Sequence, residues 1–282
     1  MTKREEIVNN IKAIPPMPVT VSQLLPLLNN TDVNIAYIEK TIQYDQGITA
    51  NVLKLANSAY YGFPRSIGSV REAVIWLGTN EIIQLVIAVS LSPAMKMKIR
   101  GYDLPAGELW RHSIAVAIAA EKLSSILKTK TPDFTFTTAL LHDIGKIAIG
   151  EYVDSNFEEI DKIVLKKRES FEIAEREILG IDHAELGEAV LDGWHFPREL
   201  CSAVKYHHSP ENTKDGQGMV DLVHIADALC LMGGIGTGRE GLQYHPSKEV
   251  VSRLGIKVSM LELVLSQTME EIDDLQMILE SG

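Results

Sequence analysis

His142 and Asp143 stand side by side in Thr138-Ala-Leu-Leu-His-Asp-Ile-Gly-Lys-Ile-Ala-Ile149, a stretch otherwise apolar enough for a core. An ionised carboxylate buried there is costly unless it is paired or holds a metal. The chain supplies partners. His112, His183, the adjacent His207 and His208, and Asp227 all fall where the apolar pattern allows a buried residue. Neutral imidazole and carboxylate suit divalent Fe, Mn, Zn, Co or Ni. Five imidazoles and two carboxylates are too many for one ion, so a pair of ions about 3.5–4 Å apart is expected. Neighbouring residues on a helix point about 100° apart. His142 and Asp143 can therefore serve one ion each, or Asp143 can bridge two. Two carboxylates leave a pair of dications net positive, able to attract a phosphate and to acidify a bound water.

Other residues are weaker candidates. Glu108, one turn before His112, is either a further ligand or an exposed carboxylate. Lys146 is a candidate phosphate contact, against the ordinary reading of a solvated lysine near a helix C-terminus. A single histidine on an apolar face is more often a hydrogen-bonded core residue than a ligand, so the whole set carries the argument. His195, His224 and His245 keep that ordinary reading, although His224 lies one turn before Asp227 and could support the ligands. The glycine-rich residues 233–238 are expected to form a flexible turn, because no strand precedes them as a phosphate loop requires.

Helices must position these groups. Spacings of three and four between apolar residues predict helices over 3–14, 21–28, 35–42, 70–77 and 81–91, with another opening at Gln46-Gly47. Thr2 with Glu5, Ser155 with Glu158 and Ser259 with Glu262 have capping-box spacing. Beyond residue 100, helices are expected over 106–127, over the His142 stretch, over 157–167, from Ser170 to Gly180, from His183 to Trp194, from Pro197 to the paired histidines, over 220–232, and from Ser259 to about Leu279. Asn29 to Asp32 and Thr131-Pro-Asp133 read as breaks. No segment alternates polar and apolar residues over a strand length, so the expected fold is all-α. The expected divisions are an N-terminal helical part over 1–100, a metal-binding helical domain over 101–240, and a C-terminal helical extension over 241–282, whose helix from Ser259 covers the core or mediates homodimerisation. Gly101 to Pro105 is the expected boundary.

Bulk properties exclude several classes. The net charge of −11 repels phosphate backbones and anionic lipid surfaces, so neither nucleic acid nor membrane is an expected partner. The longest apolar stretch, residues 82–91, is too short to span a bilayer. The N-terminus reads as no signal peptide. Cys201 and Cys230 have no metal or redox spacing and are expected to be reduced thiols in the cytoplasm.

Leu141-His-Asp-Ile-Gly-Lys146 resembles the signature of the HD superfamily of metal-dependent phosphohydrolases. His112 resembles that family's first histidine, and Asp227, in His224-Ile-Ala-Asp-Ala-Leu229, its final aspartate. His183, in Asp182-His-Ala-Glu-Leu-Gly187, and then His207-His208 resemble the further histidines of the HD-GYP branch. Ile14-Pro-Pro-Met-Pro18, Leu53-Lys-Leu-Ala-Asn-Ser-Ala-Tyr60, Ser69-Val-Arg-Glu-Ala-Val-Ile-Trp-Leu-Gly78 and Gly193-Trp-His-Phe-Pro197 are similar to the HDOD domain, the HD-related output domain. The resemblance covers roughly residues 5–240. It implies an HD/phosphodiesterase-like helical architecture with an N-terminal HDOD subdomain. It also implies a regulatory module of bacterial signalling, with a signalling protein or a small phosphorylated ligand as partner. The paired histidines are followed by Ser209-Pro210-Glu211, and no Gly-Tyr-Pro motif occurs, which argues against cyclic di-GMP hydrolysis. The leading expectation is thus a signalling output module with a binuclear metal site. The alternative is a phosphohydrolase of nucleotides or phosphodiesters, with a metal-bound hydroxide as nucleophile, Asp143 as bridging ligand and Lys146 on the phosphate.

Overall fold

Residues 2–10, 16–28, 30, 33–129, 134–239 and 244–280 are described by the computed structural model, with side chains described to residue 272. Among the described residues all regular elements are helical, as expected, and an isolated antiparallel bridge joins Ile99 to Leu104. No described helix is long and apolar enough to cross a membrane.

The centre of the molecule is α7 (Glu108–Leu127). Ala115, Ala117, Ala119 and Ala120 are fully buried on it. These small side chains let α8 (Thr135–Leu141), α14 (Gln217–Met232) and α16 (Val258–Glu280) close on α7 from different sides. A helix buried on most of its circumference needs apolar residues nearly all round, and α14 is buried from Val220 to Leu231 and apolar there except at Asp221, His224 and Asp227.

The N-terminal helices pack on this core through α6 (Thr79–Met95), which is buried along its length from Ile82 to Val89. Around it lie α2 (Val19–Leu24), α3 (Ile35–Gln43), α4 (Gln46–Ala56) and α5 (Val70–Leu77). Short polar side chains start three of these. The Asn34 side chain accepts from Ala36 N at 2.9 Å, Asp45 from Ile48 N at 3.0 Å, and Ser69 from Glu72 N at 3.1 Å. Each such cap contributes about 1 kcal/mol.

A second apolar core lies under α9 (Gly145–Ser155), α10 (Phe157–Lys167), α11 (Phe171–Leu179) and α12 (His183–Gly193), with Ile149, Val153, Ile160 and Leu186 at its middle. The first helix, α1 (Lys3–Asn10), packs here through Ile7. Its capping box is reciprocal, with Thr2 N donating to Glu5 and Glu5 N donating to Thr2 Oγ1. Then α13 (Arg198–Tyr206) and α15 (Lys248–Leu254) close on α14.

Several sequence expectations change. The His142 stretch is two helices, α8 and α9, with residues 142–144 in the turn between them. Lys146 is therefore in the first turn of α9, at its N-terminus. Ser155 ends α9 and donates to Glu151 O, and Asn156 precedes α10 instead. The last helix begins at Val258, so Ser259 lies inside its first turn. The 106–127 helix starts at Glu108, after left-handed Gly107. Gly101 to Pro105, the expected boundary, is a packed segment. Tyr102 is fully buried, and a Cβ at Gly101 would stand 2.6 Å from Gly150 O. Residues 11–15, part of the 29–32 turn, and residues 131–133 lie outside the described residues.

Candidate metal centre

Three helices and two turns bring the predicted ligands to one point. His112 comes from α7, His142 and Asp143 from the α8–α9 turn, and His183 from the start of α12. His207 and His208 follow α13 directly, and Asp227 lies in α14. The side chains form two groups, Asp143 with His183, His207 and His208, and His112 with His142 and Asp227. Within each group the ligand atoms lie within 4.8 Å of one another.

Four of the five imidazoles are held by Nδ1. His112 Nδ1 meets Ile235 O at 3.0 Å, His142 Nδ1 meets Ala139 O at 2.7 Å, and His207 Nδ1 meets Val204 O at 2.6 Å. His183 Nδ1 meets the Glu175 carboxylate at 2.8 Å. A carbonyl or carboxylate only accepts, so each Nδ1 carries a proton and Nε2 is the atom left to face the centre, where at His112 and His142 the neighbouring Asp227 and Asp143 carboxylates hold either a second proton or a cation. That is the tautomer a ligating imidazole needs. The Nε2 atoms of His142 and His207, and Asp143 Oδ1, are buried with no hydrogen-bond partner. Orphaned acceptors at the focus of a buried cluster cost stability unless a cation satisfies them. The donor set therefore fits divalent ions.

Asp143 stands between the two groups. Its Oδ1 lies 3.5 Å from His183 Nε2 and 3.9 Å from His207 Nε2. Its Oδ2 lies 3.3 Å from His142 Nε2 and 3.7 Å from His112 Nε2. Asp227 Oδ1 lies 3.1 Å from His112 Nε2 and 3.7 Å from His142 Nε2. One carboxylate facing both groups is the arrangement that spans a pair of ions.

The electrostatics favour cations. Burial alone raises both carboxyls, yet His142 and Lys146 hold Asp143 well below the usual carboxylate range, and His112 and His142 do the same for Asp227. Burial would lower His142, but Asp143 and Asp227 outweigh it and push the imidazole up to about 10. The carboxylates thus draw positive charge to this spot, as a proton or as a metal ion. Burial, reinforced by His142, lowers His207 to about 3, and burial with His207 lowers His208 well below its ordinary value. Both rings stay neutral and offer lone pairs.

Residues 14–210 match the family described as the HDOD domain. The chain belongs to the HDOD family. The HDOD domain protein with unknown function from Geobacter sulfurreducens is 25% identical, with a TM-score of 0.74 over 98% of this chain and 97% of that one. A protein from Shewanella amazonensis, named as a candidate phosphohydrolase, shares the fold at 24% identity and a TM-score of 0.72, covering 97% of each chain. A candidate signal transduction protein from Marinobacter aquaeolei shares it at 18% identity and a TM-score of 0.73, over 99% of this chain and 66% of that one. An uncharacterised protein of Treponema pallidum is 21% identical over 224 residues. The chain aligns with 43% of that curated relative's length.

Three features of this HDOD protein position the ligands but carry no obvious signal of their own. Glu175 accepts from both Nδ1 and the backbone N of His183, at 2.8 and 2.9 Å, and from the Tyr102 hydroxyl. Its register was the available clue, since Glu175 falls four residues from buried Phe171 and four from buried Leu179. Residues 233–238, expected to be a flexible turn, instead press on His112. A Cβ at Gly236 would lie 2.4 Å from His112 Cβ, and the neighbouring Ile235 carbonyl holds the ring. Gly145 lets α9 touch α12, where a Cβ would meet His183 O at 1.9 Å.

The remaining candidates fall elsewhere. Glu108 is half-buried at the start of α7, outside both ligand groups. His195 and His245 are exposed. His224 braces the site from behind. Its Nδ1 meets His207 O at 2.7 Å, and its Nε2 accepts from Ser247 N at 2.8 Å. Lys146 donates to Asp143 Oδ2 at 2.7 Å, inside the protein.

Proposed function

We propose that this HDOD protein is a regulatory output module of bacterial signal transduction whose two-ion centre is structural. Enclosure carries this reading. His142, His183 and His207 are 0% exposed, Asp143 is 1% exposed, and His112 and Asp227 are 2% exposed. Structural metal sites are closed, whereas catalytic ones keep a position open to substrate. Lys146 is buried too, and its ammonium is committed to Asp143. His183, His207 and His208 would hold one ion and His112, His142 and Asp227 the other, with Asp143 facing both groups. A bound pair of Fe, Mn, Zn, Co or Ni ions supplies concentrated positive charge and Lewis acidity. Here that charge would add a tie between α7, α12, α14 and the turns that follow α8 and α13. The partner is a signalling protein or a small phosphorylated ligand, and the two buried free thiols, Cys201 and Cys230, suit a cytoplasmic setting.

The phosphohydrolase reading keeps one observation in its favour. His208 lines an open cleft of about 560 Å³, large enough for a nucleotide-sized ligand. That cleft is lined by Glu172, Glu211 and Glu249, which repel a phosphate.

The deciding experiment incubates protein loaded with each of the five ions against a panel of phosphodiesters and nucleotides. No turnover is expected, together with a fall in thermal stability in His142→Ala. Hydrolysis that disappears in Asp143→Ala would replace the structural reading with the enzymatic one.

A further inference from the structure

The six enclosed ligand candidates leave one member of the set, His208, at the edge of the protein. His208 is half-buried, unlike the other members of the two ligand groups, and forms part of the cleft lined also by Glu172, Glu211 and Glu249. Glu211 and Glu249 are exposed at its mouth. Glu172 is buried and accepts from Ser170 Oγ. Among the described residues that line the cleft there is no lysine or arginine. Arg253 senses Glu249 and Glu211 from nearby, but its guanidinium is bound to Asp221 at 2.6 and 2.8 Å.

His208 also differs from the other imidazoles in how it is held. Its Nε2 lies 2.8 Å from His183 Nε2, on the centre. Its Nδ1 is buried with no hydrogen-bond partner. The other four rings are anchored through Nδ1. His208 is kept in place by edge-to-face packing on Tyr244 and His183. Rotation of this ring breaks no hydrogen bond at Nδ1 and gives up only the Nε2 contact with His183, and the ring stands between the cleft and that histidine.

We propose that divalent ions reach the centre through this cleft, with Glu211 and Glu249 gathering the cation and His208 turning aside to admit it before ligating it. The proposal rests on the two-ion reading and adds to it a route and a gate. A cleft lined by one sign of charge raises the association rate of a counter-ion by about 10- to 1,000-fold, an effect that fades as salt rises.

The test follows Co²⁺ uptake by chelator-stripped full-length protein, from the growth of the visible cobalt absorption after rapid mixing. The Glu211→Gln/Glu249→Gln double variant should load about tenfold more slowly at low salt. The difference should close at high salt, with the final ions per chain unchanged. Both side chains are exposed, so the fold tolerates the exchange. A Glu158→Gln/Glu159→Gln control, at exposed positions on α10, should load as wild type does. His208→Ala should release cobalt to a chelator at least tenfold faster. If the double variant loads fully and at the wild-type rate at every salt concentration, the route is wrong while the two-ion reading stands. If wild type takes up no cobalt, both fall together.

Discussion

Lys146 donates to Asp143 Oδ2 at 2.7 Å, and both side chains are buried. A lysine in that position neutralises a carboxylate rather than greeting a substrate. Removing one partner of a buried pair leaves the other charged and unpaired, at a cost of about 3–5 kcal/mol. Lys146→Met should therefore lose stability of that order in chelator. With saturating Mn²⁺ most of the loss should be recovered, because a dication beside Asp143 takes over the role of the ammonium. Urea unfolding under the two conditions measures this. An equal loss in both would mean that Lys146 and the ions do not share the Asp143 charge.

The two ligand groups should empty separately. Asp227→Ala removes a carboxylate from the His112 and His142 group alone and should leave about one ion per chain, while Asp143→Ala should leave neither. Gly236→Ala should mimic Asp227→Ala in milder form, since the new Cβ would press on His112. Gly234, also at positive φ but with nothing within 4 Å of a built Cβ, is the control for backbone strain alone. Elemental analysis of the four variants reads the result. Equal loss of metal from Asp227→Ala and Asp143→Ala would point to a mononuclear site.

Glu175 orients His183 through Nδ1. Partners of this kind are worth about 10- to 100-fold in metal affinity. Glu175→Gln should weaken binding at the His183, His207 and His208 group by that factor while leaving Asp227-dependent binding in place. Competition with a chelator of known affinity measures it, and unchanged affinity would assign Glu175 to the packing of Tyr102 alone.

Away from the centre, Glu121 on α7 accepts from the Tyr60 hydroxyl at 2.5 Å where the N-terminal helices meet the core. Burial, strengthened by Glu81 and opposed by Tyr60 and Lys122, raises this carboxyl from 4.5 to about 7. A raised acid favours the folded state while protonated. Its contribution is complete below about pH 4.5 and is lost as the pH rises through about 7. Glu121→Gln, which stays neutral, should be more stable than wild type at about pH 8, by on the order of 1–3 kcal/mol. The gap should narrow towards about pH 5. Denaturant melts across this range show the trend, and a gap independent of pH would assign the effect to packing.

Much of this was legible in the sequence, for particular reasons. The ligand residues are polar groups in apolar helix registers, and burial of a charge demands a partner, so His112, Asp143 and Asp227 announced themselves. The caps at Ser69 and Thr2 were equally readable, because one short side chain and one backbone N–H decide them locally. The break at residues 142–144 was not, because Ile144, Ile147 and Ile149 continue the apolar pattern across it. Gly145 explains the break in three dimensions, where α9 must touch α12. Tertiary contact likewise fixes the turn at residues 233–238, whose glycines read as slack until His112 is found beneath them. Lys146 was misplaced for the same reason. Moving the helix boundary moved it from a C-terminus to an N-terminus, and from solvent to the interior.

The most direct test of the central claim is metal content together with its effect on folding. Protein purified without chelator should carry about two divalent transition ions per chain, and its thermal midpoint should drop on chelation and again in Asp143→Ala. A well-folded, metal-free protein whose midpoint is indifferent to added divalent ions and to Asp143→Ala would contradict the claim.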